Sequence, residues 1–193
     1  MLIKTLPVGP LQANCYILKK DETSPAVIID PGAEGERILS ALCGIPPAAI
    51  LLTHGHFDHT GALSAFPDAE TVIHETDAGM LTDPQRNAGA LFGDTLPRRP
   101  ATRTVKEGDV LSYGGLEITV LHTPGHTPGS VCYSAEGCLF TGDTLFHRGY
   151  GRTDLPGGSV KDLIASLRRL LHTEGDPAFY PGHGEGAHIS DER

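Results

Sequence analysis

Three histidines and an aspartate fall within the seven residues "THGHFDH", positions 53–59 of this 193-residue chain. Such side chains contribute little to an apolar core, so a stretch this rich in them implies something that they bind. Imidazole and carboxylate suit a divalent cation, with zinc, iron and manganese all compatible. The apolar run "AILLT" ends directly at His54. On extended backbone, residues 54 and 56 point the same way because side chains alternate with period two, so both imidazoles can reach one ion. Asp58 and His59 lie past the following turn and can face a second ion beside the first.

Three further places offer donors: His126 in "HTPGHTPGS", Asp143 in "FTGDTLF" and His183 in "YPGHGEG". Each follows a strand-like run and lies among glycines and prolines, which shape irregular loops at strand ends. A zinc site closed by four protein ligands is structural, whereas seven donors shared between two ions leave positions for water, the catalytic pattern. The other histidines, His74, His122, His147, His172 and His188, are isolated and read as surface or satisfied core residues.

The elements that must position these donors read as a mixture of strands and helices. "LIKTL", "NCYILKK" and "AVIID" are strand-like, the last closed by the turn "PGAEG". A helix is expected from Glu34 to Leu42, then the strand "AILLT", which delivers the cluster at its carboxyl end, where α/β folds place their sites. "TGALSAF" and "TDAGMLT" read as short helices, the second with Thr76 as cap. Asp83 to Pro100 reads as a long loop, either a cover for a substrate or a surface connection. Strands resume with "DVLSY", "LEITVLHT", "SVCYSA" and "CLFTGD". A last helix opens at Ser159, with Val160, Leu163, Ile164, Leu167, Leu170 and Leu171 at helical spacing.

The length suits one domain, residues 1–193. No run approaches the roughly 18 apolar residues of a membrane span, and the N-terminus lacks the pattern of a signal peptide, so a cytoplasmic protein without a membrane partner is expected. Cys15, Cys43, Cys132 and Cys138 are widely spaced and read as reduced, buried thiols. With a formal net charge of −9 and no basic run longer than two residues, nucleic acid is excluded as a partner and a small molecule is favoured.

Taken together, "THGHFDH", "TPGHTPGS", "TGDTLF" and "PGHG" resemble the metallo-β-lactamase superfamily, in particular its hydroxyacylglutathione hydrolase (glyoxalase II) branch. The similarity runs from "VGPLQANCYIL" and "IIDPG" to "YPGHG". It implies a four-layer αβ/βα sandwich of two mixed sheets flanked by helices. It also implies that His54, His56 and His126 hold one divalent metal ion, that Asp58, His59 and His183 hold a second, and that Asp143 bridges them. The reaction implied is hydrolysis of a thioester such as S-D-lactoylglutathione by a hydroxide shared between two ions, zinc first, with iron or manganese as alternatives. Asp58 would both ligate and orient the nucleophile.

The chain departs from full-length glyoxalase II in lacking a C-terminal helical domain after His183 and in having "HRGYGRTDLPGG" where that branch has a "GKFYEG"-like stretch. Tyr150, Arg152 and Asp154 in this stretch are candidates for substrate contact, with Arg152 and Asp154 alternatively pairing to brace the loop under Asp143. The same "GRTD" resembles persulfide dioxygenases, in which one iron at positions like His54, His126 and Asp143 would serve an oxidation. A metal-stabilised binding module without catalysis is the third reading.

Overall fold

Side-chain alternation decides which core each strand feeds. In the computed structural model, which describes residues 1–193, strand β1 (Leu2–Val8) pairs antiparallel with β2 (Ala13–Lys19). Strand β2 sends Tyr16 and Leu18 to one face of its sheet and Cys15 and Ile17 to the other. The same division holds in β3 (Val27–Ile29), where Ile28 opposes its two neighbours, and in β4 (Ala49–Leu51), where Ile50 does. Both faces are buried there, so these strands read as unbroken apolar runs.

Helix α1 (Gly35–Ala41) follows β3, and the one-turn helix α2 (Phe57–Thr60) follows β4. Strands β5 (Thr71–His74) and β6 (Arg103–Val105) complete a six-stranded sheet in sequential order, with β3 to β6 parallel. The second sheet begins with β7 (Val110–Tyr113), β8 (Leu116–His122), β9 (Val131–Ala135) and β10 (Cys138–Gly142), each antiparallel to the one before. A small hairpin, β11 (Leu145–Phe146) with β12 (Gly149–Tyr150), precedes helix α3 (Val160–Leu171). Strands β13 (Ala178–Pro181) and β14 (Ala187–His188) finish the second sheet, with β13 parallel to β10.

The two sheets close over a core that includes Leu18, Ile29, Leu51, Val72, Ile118, Tyr133 and Phe140. Outside the first sheet, Ile28, Ile50 and Ile73 meet Ile38 and Leu42 of the α1 region. Outside the second, Cys132, Leu139 and Phe179 meet Leu170 of α3. Helix, sheet, sheet and helix region therefore stack as the expected four-layer sandwich. Phe140 is fully buried, edge-on to Tyr16 at 5.3 Å and stacked on Tyr180 at 5.2 Å. Phe140→Ala is expected to lower stability by about 3–5 kcal/mol, read as a lower denaturant midpoint at unchanged slope.

Several local expectations need correction. Cys43 is exposed, in the turn after α1, and Cys138 is only half-buried; Cys15 and Cys132 are buried, and all four are free thiols. "TGALSAF" is not one helix: α2 starts earlier, at Phe57, and only Leu63–Ala65 forms a 3-10 turn. Thr76 caps nothing. Asp77 holds the cap position of the 3-10 turn Ala78–Met80, and its carboxylate is drawn to other loops instead. The Asp83 to Pro100 segment contains a 3-10 turn, Gly89–Phe92. In α3 the buried stripe is narrower than the apolar spacing implied: Leu163, Ser166 and Leu170 are buried while Val160 and Ile164 face outward. Ser159 does cap this helix, accepting from the Asp162 N–H at 3.3 Å. No helix is long and apolar enough to cross a membrane.

Candidate metal centre

Every donor loop leaves the carboxyl end of a strand on one edge of the sandwich. In the first sheet, β3 leads to Asp30, β4 to His54–His59 and β5 to Asp77. In the second, β8, β10 and β13 run in one direction and lead to His126, Asp143 and His183. Main-chain hydrogen bonds join the sheets there: Val131 N–H donates to Thr53 O (2.8 Å) and Asn14 N–H to Gly182 O (2.7 Å), while Gly182 N–H donates to Gly142 O (2.8 Å) within the second sheet. A glycine is required at 182, because a Cβ there would lie 2.1 Å from Asp143 Oδ1 and 2.8 Å from His59 Cε1.

The seven sequence-predicted donors come together. His54, His56 and His126 offer nitrogens within 4.8 Å of one another, and Asp58, His59 and His183 form a second such group. Asp143 stands between them, with Oδ1 3.4 Å from His59 Nε2 and Oδ2 3.4 Å from His126 Nε2 and 3.7 Å from His183 Nε2. Asp58 Oδ2 lies 3.4 Å from His183 Nε2 and 3.7 Å from His59 Nε2. Donors about 2.0–2.2 Å from a common zinc ion lie within about 4.4 Å of one another. The Asp58 and Asp143 separations, 3.4–3.7 Å, lie inside that limit.

The ring orientations fit too. His59 Nδ1 lies 3.0 Å from Asp30 Oδ2, His126 Nδ1 2.7 Å from Arg152 O, His183 Nδ1 3.0 Å from Leu11 O and His54 Nδ1 3.1 Å from Thr53 Oγ1. Holding one ring nitrogen in this way fixes the ring and turns the other toward an ion. His56 is reversed, with Nδ1 2.8 Å from His126 Nε2. His54 Nε2, His56 Nε2 and Asp143 Oδ1 are buried without a hydrogen-bond partner. Unpaired buried donors and acceptors are destabilising, and a cation bound between the donors relieves that for His54 and Asp143.

Burial, together with the neighbouring histidines, pushes His54 well below its usual pKa and takes His56 down to about 3. Both present neutral rings at physiological pH. Burial acts the same way on His59, but the Asp58 and Asp143 carboxylates outweigh it and hold His59 well above its usual value; His183 is raised as well, by Asp58 and Asp143 against burial. A ligating imidazole must be neutral, so metal uptake near pH 7 is expected to release protons from this pair. Metal affinity then rises as pH climbs from the ordinary histidine range through the raised range of these two groups, by up to about one decade per unit for each proton released. Chelator competition at several pH values measures this.

Four residues with no assigned role in the sequence reading support the donors. Asp30 accepts from Thr53 N–H (2.8 Å) and Thr53 Oγ1–H (2.6 Å) as well as facing His59. Asp77 accepts from Gly55 N–H, Thr127 Oγ1–H and Gly129 N–H, binding the His54–His56 loop to the His126 loop. Asn14 donates to Pro181 O (3.0 Å) and Gly184 O (2.9 Å), gripping the loop of His183. Ser166 on α3 donates to Pro124 O at 2.7 Å. Gly125 lies against the same helix, where a Cβ would meet the Leu163 nitrogen at 2.3 Å.

Arg152 and Asp154 form an exposed bidentate pair at 2.6 and 2.7 Å, while the Arg152 carbonyl serves His126. Tyr150 is exposed and lines the cavity over the donors. That cavity, of about 330 Å³, is walled by Leu11, Phe57, Phe146 and Leu155 around His56, Asp58, His126, Asp143 and His183. The other histidines have partners of their own: His74 stacks on His122 at 4.1 Å, His147 pairs with Glu192, and His172 and His188 face backbone carbonyls.

Known proteins share this arrangement of chain. "Probable metallo-hydrolase YqgX" of Bacillus subtilis is 38% identical over 190 residues, covering 94% of this chain and 89% of that protein. "Hydroxyacylglutathione hydrolase GloC" of Haemophilus influenzae is 36% identical over 206 residues, covering 100% and 95%. Among solved structures, BLEG-1 B3 metallo-beta-lactamase superposes with a TM-score of 0.92 at 37% identity, covering 99% of this chain and 96% of that one. TTHA1623 in a di-iron-bound form gives 0.86 at 38%, covering 98% and 96%. ETHE1 from Myxococcus xanthus gives 0.81 at 31%, covering 100% and 81%. The family model described as the metallo-beta-lactamase superfamily matches residues 8–183, and on that match the chain belongs to this superfamily.

Proposed function

We propose that the protein is a dinuclear metal-dependent hydrolase acting on a small-molecule thioester. The observation that carries this reading is the pair of donor groups, His54–His56–His126 and Asp58–His59–His183, on either side of Asp143 at the floor of an open cavity. Similarity to GloC supports the thioester, and similarity to the di-iron form of TTHA1623 supports two ions. Bound by these residues, divalent ions supply Lewis acidity and make water nucleophilic near neutral pH. Burial alone would raise Asp58, but in the metal-free chain His59 and His183 hold its carboxyl below the usual range, and bound cations would act on it in the same direction. It is therefore ionised at neutral pH and can accept a hydrogen bond from the attacking water and orient it. Leu11, Phe57 and Phe146 line the cavity with apolar surface beside the donors. The leaving thiol has a pKa near 8.5 and departs as thiolate without a strong general acid.

The test is steady-state turnover of thioesters by metal-loaded protein, with loss of signal on chelation and return on adding back metal. Two comparison assays run beside it. Ring opening of a chromogenic β-lactam examines the reading suggested by BLEG-1. Oxygen consumption with glutathione persulfide examines the mononuclear oxidative alternative. Thioester turnover well above both supports the proposal, and either comparison dominating overturns it.

A further inference from the structure

A second cavity, of about 580 Å³, opens beside the cavity over the donors and shares Leu11, Phe57, Asp58 and Phe92 with it. Its apolar walls include Val8, Leu11, Phe57, Phe92 and Leu96. Phe92 and Leu96 come from the Asp83 to Pro100 segment, which is fastened over α2: the Phe92 ring stacks on Phe57 at 5.1 Å, and Arg98 pairs with Asp94 and donates to Phe57 O at 3.3 Å. Leu11, Phe92 and Leu96 are 45%, 51% and 71% exposed. Large apolar side chains gathered in water around a concavity that continues into a reaction site mark a place for an apolar ligand group.

Charge narrows the occupant. The charged residues of this cavity are Asp58 and Asp94, both acidic. The guanidinium of Arg98 is engaged by Asp94, and that of Arg152, across the donor cavity, by Asp154. A glutathione conjugate brings two carboxylates, which favour cationic partners once desolvated, and the walls hold no unpaired cation to meet them.

We infer that the groove receives an apolar chain attached to the scissile thioester, so that the preferred substrates are alkyl-chain thioesters rather than glutathione conjugates. This inference rests on the thioester reading. The chain can stand on the acyl side or on the thiol side of the carbonyl, and two substrate series separate these. One extends the acyl group from acetyl to decanoyl on N-acetylcysteamine; the other extends an alkyl thiol on a fixed acetyl group.

With metal-loaded protein, kcat/KM in one series should rise about fourfold per methylene, the ratio corresponding to about 0.8 kcal/mol per buried CH₂, until the groove is filled. Its longer members should exceed S-D-lactoylglutathione. In Phe92→Asp and Leu96→Asp the rise with chain length should flatten. A flat profile in both series, or S-D-lactoylglutathione as the best substrate, overturns the inference and leaves the thioester reading intact. Failure to hydrolyse any thioester overturns both.

Discussion

Asp58→Ala lowers kcat/KM for thioester hydrolysis by about 10²–10⁴-fold, the range over which a positioned proton acceptor contributes, while the metal-free chain still unfolds cooperatively. The size of the effect follows from two duties at one carboxylate. Asp58 is part of the second donor group, with His59 and His183, and it also faces the cavity in which the substrate carbonyl must sit. Its removal should lower metal content per chain and leave the attacking water without an acceptor. Asp58→Asn separates the duties: it keeps an oxygen donor but loses the charge, so it should retain more metal than the alanine variant with little recovery of rate. Elemental analysis beside steady-state kinetics reads both. Wild-type turnover in Asp58→Ala would remove this residue from the site.

Asp30→Ala is expected to damage fold and metal affinity together. Its buried carboxylate accepts from Thr53 N–H and Thr53 Oγ1–H and lies 3.0 Å from His59 Nδ1. Alanine leaves the buried Thr53 N–H without an acceptor and frees the His59 ring. Breaking a buried, hydrogen-bonded charge site of this kind costs about 3–5 kcal/mol, and losing the partner of a ligating imidazole weakens metal binding about 10–100-fold. Denaturant titration of the metal-free protein and chelator competition of the loaded protein measure the two effects separately. Reduced stability with unchanged metal affinity would make Asp30 a purely structural residue.

The contrast between these residues shows what the amino-acid order can convey. His54, His56, Asp58 and His59 were legible because metal donors at such spacing have little other use. His126, Asp143 and His183 were legible because each ends a strand-like run among turn residues. Asp30 closes a strand in "IIDPG" and has a φ of 51°, so it reads as ordinary turn chemistry. Its role depends on β3 lying beside β4, which no local pattern records. Asp77 and Asn14 were missed for the same reason, since each acts on loops distant in sequence. In α3 the apolar spacing gave the helix and its cap but overstated the buried stripe, because Ser166, directed at Pro124 O, occupies a buried position while Val160 and Ile164 face outward.

The long segment from Asp83 to Pro100 illustrates the remaining gap. Its sequence is compatible with either a cover or a connection, and the ring stack of Phe92 on Phe57, with the Arg98 contacts, fastens it over the start of α2. From there it forms a wall of the cavity next to Asp58. Position in the fold, rather than residue type, gives it that role.

The most direct test of the central claim is metal content per chain, with element identity, on protein purified without added metal or chelator and assayed in parallel for thioester hydrolysis. The account predicts close to two divalent ions per chain and hydrolysis that scales with occupancy as metal is removed and restored. Close to one iron per chain, with hydrolysis absent and oxygen consumed in the presence of a persulfide, would contradict it.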